Sequence, residues 1–114
     1  MQYAVAQFIR EAPEHFQDLP QFYQRKRDFF LEAVKDSRFS FTPASGTYFQ
    51  LLDYSAISDE QDTVFAERIT AEFGVAAIPL SPFYRGPVGD RVLRFCFAKS
   101  EKTLEKAAAI LCRI

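Results

Sequence analysis

The chain has 114 residues and a mass of 13.1 kDa, room for one domain around a single hydrophobic core. Its 48% hydrophobic and 25% charged residues, with only 4 Gly and 6 Pro, are a globular composition and exclude intrinsic disorder. Lys plus Arg is 14 against 15 for Asp plus Glu, so the formal net charge of -1 argues against a nucleic-acid or anionic-membrane partner.

Tyr3 to Glu11 reads as a helical piece, and Pro13 and Pro20 mark breaks or first-turn positions, so residues 1–20 are expected to form a helical connecting segment ahead of an α+β core over 21–114. Arg10 and Glu11 interrupt the apolar residues there before a secretory h-region forms. No apolar run approaches the roughly 20 residues that span a bilayer. From Leu19 to Lys35 the pairs Phe22 and Tyr23, Phe29 and Phe30, Ala33 and Val34 recur at helical spacing, with Arg25, Lys26, Arg27, Asp28 and Glu32 between them. The mixed signs make this a solvated helix face and not a phosphate site.

Phe39 to Phe41 alternates, Pro43 to Gly46 is turn-like, and Thr47 to Tyr54 is rich in β-branched and aromatic residues, which predicts a β-hairpin or meander with Gly46 in the turn. Ser58 with Gln61 matches a capping box before Val64, Phe65, Ile69 and Phe73, and Gly74 supplies a stop. Val75 to Leu80 reads as a short buried strand, Ser81 to Asp90 as an irregular surface loop, and Val92 to Ala98 as another strand. Ser100 caps a last helix with Leu104, Ala107, Ala108 and Leu111 on one face. The expected fold class is α+β, a small sheet of about four strands covered by helices.

Arg94 is the residue that stands out. In its strand Leu93, Phe95 and Phe97 face one way, and Val92, Arg94 and Cys96 the other. A permanently charged guanidinium among apolar neighbours needs an anion or water. Asp53 or Asp90 would supply an internal partner; otherwise the partner is a ligand carboxylate gripped by the planar fork. Cys96 and Cys112 are isolated, in no CxxC pattern, and read as buried thiols in a reducing compartment, so the expected location is cytoplasmic. The lone His15 makes no metal site. The 13 Phe and 5 Tyr are a heavy aromatic load, and some rings are expected to face a surface this chain does not supply.

Three stretches together, FYQRKRDFFLEAVKDSRFSFTP (Phe22 to Pro43), SGTYFQLLDYS (Ser45 to Ser55) and RFCFAKS (Arg94 to Ser100), resemble the C-terminal part of class I/II pyridoxal-phosphate-dependent aminotransferases. The nearest branch is that of methionine aminotransferase and the kynurenine and glutamine transaminases. VAAIPLSPFY (Val75 to Tyr84) lies where that family has a strand and a substrate-side loop.

The resemblance implies a small domain that closes over a substrate held on a separate large domain. It implies that Arg94 binds the substrate α-carboxylate and that Phe83 and Tyr84 sit at the pocket rim. Amino-acid and 2-oxo-acid substrates, pyridoxal 5'-phosphate and a homodimer belong to the full-length enzyme. None of Lys26, Lys35, Lys99, Lys102 or Lys106 sits in a segment like that of the family's cofactor lysine, so no bound cofactor and no catalysis are expected of this piece alone. With the large domain missing, Tyr3, Phe8 and Phe22 are expected to be orphaned, so that the piece shows an exposed apolar patch or self-associates. The alternatives are a stand-alone carboxylate-binding module without cofactor, or an interaction module pairing through its aromatic surface. Methionine or another large neutral or aromatic amino acid is the substrate class the resemblance implies.

Overall fold

Three helices cover one face of a small sheet because each carries a single apolar stripe that only the sheet and its neighbours can bury. The computed structural model describes every residue except Pro87, Val88 and Asp90. In chain order the elements are α1 (Gln2–Glu11), α2 (Pro13–Gln17), α3 (Leu19–Val34), β1 (Phe49–Asp53), α4 (Asp62–Phe73), β2 (Ile78–Pro79), β3 (Val92–Cys96) and α5 (Glu101–Leu111). A 3-10 turn spans Ser81–Phe83.

The strands form an antiparallel sheet in the order β1-β3-β2, so β3 is central. Leu52 of β1 pairs with Leu93 of β3, and both are fully buried. With Phe95 and Phe97 they meet Phe30, Leu31 and Val34 of α3, Phe65, Ala66 and Ile69 of α4, and Leu104, Ala108 and Leu111 of α5 in one core. The alternation in β3 is as the sequence predicts, with Leu93 and Phe95 inward and Val92, Arg94 and Cys96 outward. Gly74 takes the left-handed conformation, φ 73°, that ends α4, and the Ser100 hydroxyl accepts from the Thr103 N–H at 3.3 Å.

The α+β class holds, with three strands rather than about four. The expected strand at Phe39–Phe41 shrinks to one bridge, in which Ser40 and Asp53 exchange backbone bonds of 3.0 and 2.8 Å. Beyond it, side chains replace a ladder: buried Gln50 accepts from the Ala44 N–H at 3.0 Å and donates to the Thr42 carbonyl at 2.9 Å. Pro43 between them has no N–H to give a strand. The run Val75 to Leu80 yields only Ile78–Pro79 as strand, since Pro79 suits an edge and ends the pairing.

Three local readings are corrected. The N-cap of α4 is Gln61, not Ser58, whose hydroxyl is held locally, donating to the Glu60 carboxylate at 2.7 Å and accepting the Glu60 N–H at 3.2 Å. Gly46 lies in the turn before β1 as expected, but the positive φ the turn needs, 65°, falls on Thr47. The cysteines are not both buried: Cys96 is half-buried on the outer sheet face, and Cys112 is exposed where α5 ends.

Helices α1 and α2 bury none of their residues, and α1 packs on α2. Tyr3, Phe8 and Phe22 are exposed, and the Phe8 ring stands edge-on to His15 at 5.2 Å. No described helix is long and apolar enough to cross a membrane.

Candidate functional site

The helix-free face of the sheet carries Phe49, Leu51, Ile78 and Arg94. Two-residue periodicity sends these side chains away from the core, and strand register decides which of them meet. Arg94 lies in mid-β3, directly opposite Leu51 on one side and Ile78 on the other. Both are half-exposed, at 45% and 40%. Phe49, which pairs with Cys96, is the diagonal neighbour, and the guanidinium carbon of Arg94 sits over its ring, 4.2 Å from the centroid. The Phe83 ring lies 5.4 Å from the same carbon, brought there by the 3-10 turn.

The charge of Arg94 is unmatched among the described residues. No ion pair there includes it, and its buried Nε has no hydrogen-bond partner. Asp53, expected as an internal partner, is committed elsewhere: its Oδ1 accepts the Ser55 N–H at 2.7 Å and the Ser55 hydroxyl. The other expected partner, Asp90, lies outside the described residues, as does part of the Ser81 to Asp90 loop. A buried guanidinium N–H without an acceptor is costly. Aromatic faces lower the cost of the charge by about 0.5–2 kcal/mol but give Nε no acceptor. The arrangement suits a planar anion, a carboxylate above all, that takes two parallel bonds from the fork.

Of the predicted site residues, the structure brings Arg94 and Phe83 together. Tyr84 is 60% exposed and reaches neither the guanidinium nor another ring among the described residues. Phe49 went unmarked in the sequence because its contact with Arg94 depends on cross-strand register, which has no local signal. Asp62 and Ser81 were missed for a related reason, since they meet across 19 residues of chain. The one available hint was an acidic residue in the first turn of a helix.

A cleft of about 480 Å³ lies between α3 and the turn before β1, lined in part by Tyr23, Arg27, Thr47, Tyr48 and Phe97. Its Arg27 is already engaged, donating to Asp28 at 2.7 Å and to the Ala44 carbonyl at 2.8 Å, so the cleft offers no free charge of this kind.

The lysines do not fit a cofactor held as a Schiff base. Lys35, Lys99, Lys102 and Lys106 are exposed, and the half-buried Lys26 donates to the Lys99 carbonyl at 2.6 Å. Imine chemistry needs an amine shielded from water, and none of these five is buried.

The chain matches the family model of aminotransferase class I and II over residues 1–111. It is 49% identical over 107 residues to methionine aminotransferase of Escherichia coli K12, covering 94% of this chain and 28% of that protein. It is 30% identical over 132 residues to mouse kynurenine–oxoglutarate transaminase 1, covering 97% and 31%. Among solved structures, YbdL from Escherichia coli, identified as having a methionine aminotransferase function, superposes with a TM-score of 0.93 at 47% identity, over 99% of this chain and 30% of that one. The chain therefore spans about 30% of the length of the relatives it matches.

Proposed function

The chain belongs to the class I and II aminotransferases, a pyridoxal-phosphate-dependent family, and from that premise we propose that it is the small C-terminal domain of such an enzyme, with Arg94 as the group that binds the substrate α-carboxylate. The observation that carries this reading is the orphaned guanidinium: a half-buried cation, one ring at 4.2 Å, a buried Nε with no acceptor and no carboxylate of the described chain in reach. The proposed substrate is methionine or another large neutral or aromatic amino acid, a reading supported by the likeness to methionine aminotransferase.

In this reading Arg94 is a binding residue, neither acid nor base. Its fork fixes the carboxylate end of the amino acid, and that orients the rest of the molecule toward groups carried outside this chain. Leu51, Ile78 and the two rings keep water from competing for the bound carboxylate, which strengthens each charge-assisted bond. We take the 114 residues alone to be inactive, since none of their lysines is shielded from water as an imine-forming amine must be.

The test is kinetic, in an aminotransferase that carries this domain on its large domain. Arg94→Ala is expected to raise KM for the amino acid at least tenfold with cofactor absorbance intact, and Arg94→Lys to recover only part of the loss, because an ammonium cannot make the two parallel bonds. Unchanged kinetics in Arg94→Ala would remove Arg94 from this role.

A further inference from the structure

We infer that Asp62 is a positioning residue that works through Ser81: its carboxylate anchors the 3-10 turn that sets the Phe83 ring over the Arg94 guanidinium. The inference deepens the reading of Arg94 as a carboxylate site and rests on it for its functional meaning.

Asp62 is the one buried charged side chain among the described residues, 6% exposed. No cation neutralises it there. A buried carboxylate without a counter-ion persists only if its lone pairs are filled. Oδ1 accepts the Thr63 N–H at 2.9 Å and the Ser81 hydroxyl at 2.7 Å, and Oδ2 accepts the Ser81 N–H at 2.7 Å. Burial pushes its carboxyl up, but the Ser81 hydroxyl and the backbone N–H groups of Ser81, Leu80 and Thr63 outweigh that and hold it below the ordinary carboxylate value.

An ordinary helix cap would direct such bonds to its own helix. Here the N-cap position belongs to Gln61, and only the Thr63 bond returns to α4. The other two run to a residue 19 positions later, which opens the turn. From Ser81 the backbone is set: the Phe83 N–H donates to the Leu80 carbonyl at 3.0 Å and the Tyr84 N–H to the Ser81 carbonyl at 3.1 Å. Phe83 itself is 66% exposed, so core packing does not hold its ring. What aims it at Arg94 is the turn, and what fixes the turn to the domain is Asp62.

The test is read on Arg94 without any ligand, by NMR of the 114-residue chain. Phe83→Leu defines the part of the ring-current shift and of the nuclear Overhauser effect at the Arg94 side-chain protons that comes from Phe83. Ser81→Ala and Asp62→Asn are expected to lose at least half of both, Ser81→Thr to restore them, and the Tyr54 and Phe65 ring signals in the core to stay put in every variant. Ser81→Ala removes a single hydroxyl and does not depend on Asp62→Asn folding. Wild-type Arg94 signals in Ser81→Ala would overturn the inference. Because no substrate enters the measurement, that failure leaves the carboxylate role of Arg94 standing, while unchanged kinetics in Arg94→Ala would end that role and leave the Asp62 anchor in place.

Discussion

Arg94 and Phe49 are diagonal neighbours across the β1–β3 ladder, the guanidinium carbon 4.2 Å from the ring centroid. The ring faces a charge that no described carboxylate meets, so it holds the fork in place without neutralising it. An acidic residue at position 49 would have filled the site from within and left nothing for a ligand to bind.

Phe49→Leu keeps an apolar side chain beside Arg94 and removes the ring's electrostatic attraction. The expected loss is about 1 kcal/mol, or roughly fivefold in affinity for a carboxylate substrate. Amino-acid KM in the enzyme carrying this domain checks it, and Leu51→Ala, which deletes a half-exposed aliphatic chain, is expected to have a smaller effect.

Tyr54 stacks on Phe65 with ring centroids 4.2 Å apart, and its hydroxyl donates to the Glu60 carbonyl at 2.8 Å. Burial, with Asp62 nearby adding to it, pushes the phenol up to about 12. A raised folded-state value means the stabilisation is whole below the phenol's ordinary value of about 10 and is lost as pH climbs toward the folded one. Denaturation midpoints should fall over that interval, while Tyr54→Phe, about 1 kcal/mol less stable at neutral pH, should lack this alkaline slope. Phenolate absorbance appearing in the folded chain near pH 10 in a Tyr54-dependent way would contradict it.

At the acid end Asp62 and Glu60 act in the opposite sense. Hydrogen bonds from Arg68 and then Ser58 hold the Glu60 carboxyl below its ordinary range, and Asp62 is held low by Ser81 and Thr63 despite its burial. Depressed folded-state values place the stabilisation above about pH 4 and remove it as pH falls through them. Thermal melts between neutral pH and pH 3 should drop more steeply in the wild type than in Asp62→Asn. Glu60→Gln should matter less, because the Glu60–Arg68 pair is about a third exposed.

Thr47 is a β-branched residue at φ 65°, where an L side chain is strained, and its hydroxyl makes no hydrogen bond among the described residues. Thr47→Gly should raise stability by about 1 kcal/mol, the left-handed penalty outweighing glycine's extra chain entropy. A lower melting temperature for the variant would show that Thr47 makes a contact worth more than its strain.

The helices were legible in the sequence because their signals are local. The apolar pairs of Leu19–Val34 repeat within two turns, Ser100 lies three residues from the N–H it caps, and Gly74 takes a left-handed conformation that glycine adopts without steric cost. The Ser58 motif misled for the same reason: a hydroxyl near a helix start has other local partners, and the Glu60 N–H took it. Strands need a partner, and Phe39–Phe41 lost most of its own once the Gln50 amide bound Thr42 and Ala44 in its place.

The sequence by itself determined the family, the α+β class, the helix positions and the outward face of Arg94, all carried by neighbours in the chain or by period-two alternation. Tertiary structure decided what surrounds that arginine: Phe49 beneath it by register, Phe83 over it by a turn tied to Asp62, and Asp53 kept from it by Ser55. Which donors and acceptors meet across many residues of chain is set by how sheet and helices pack, and no local pattern encodes it.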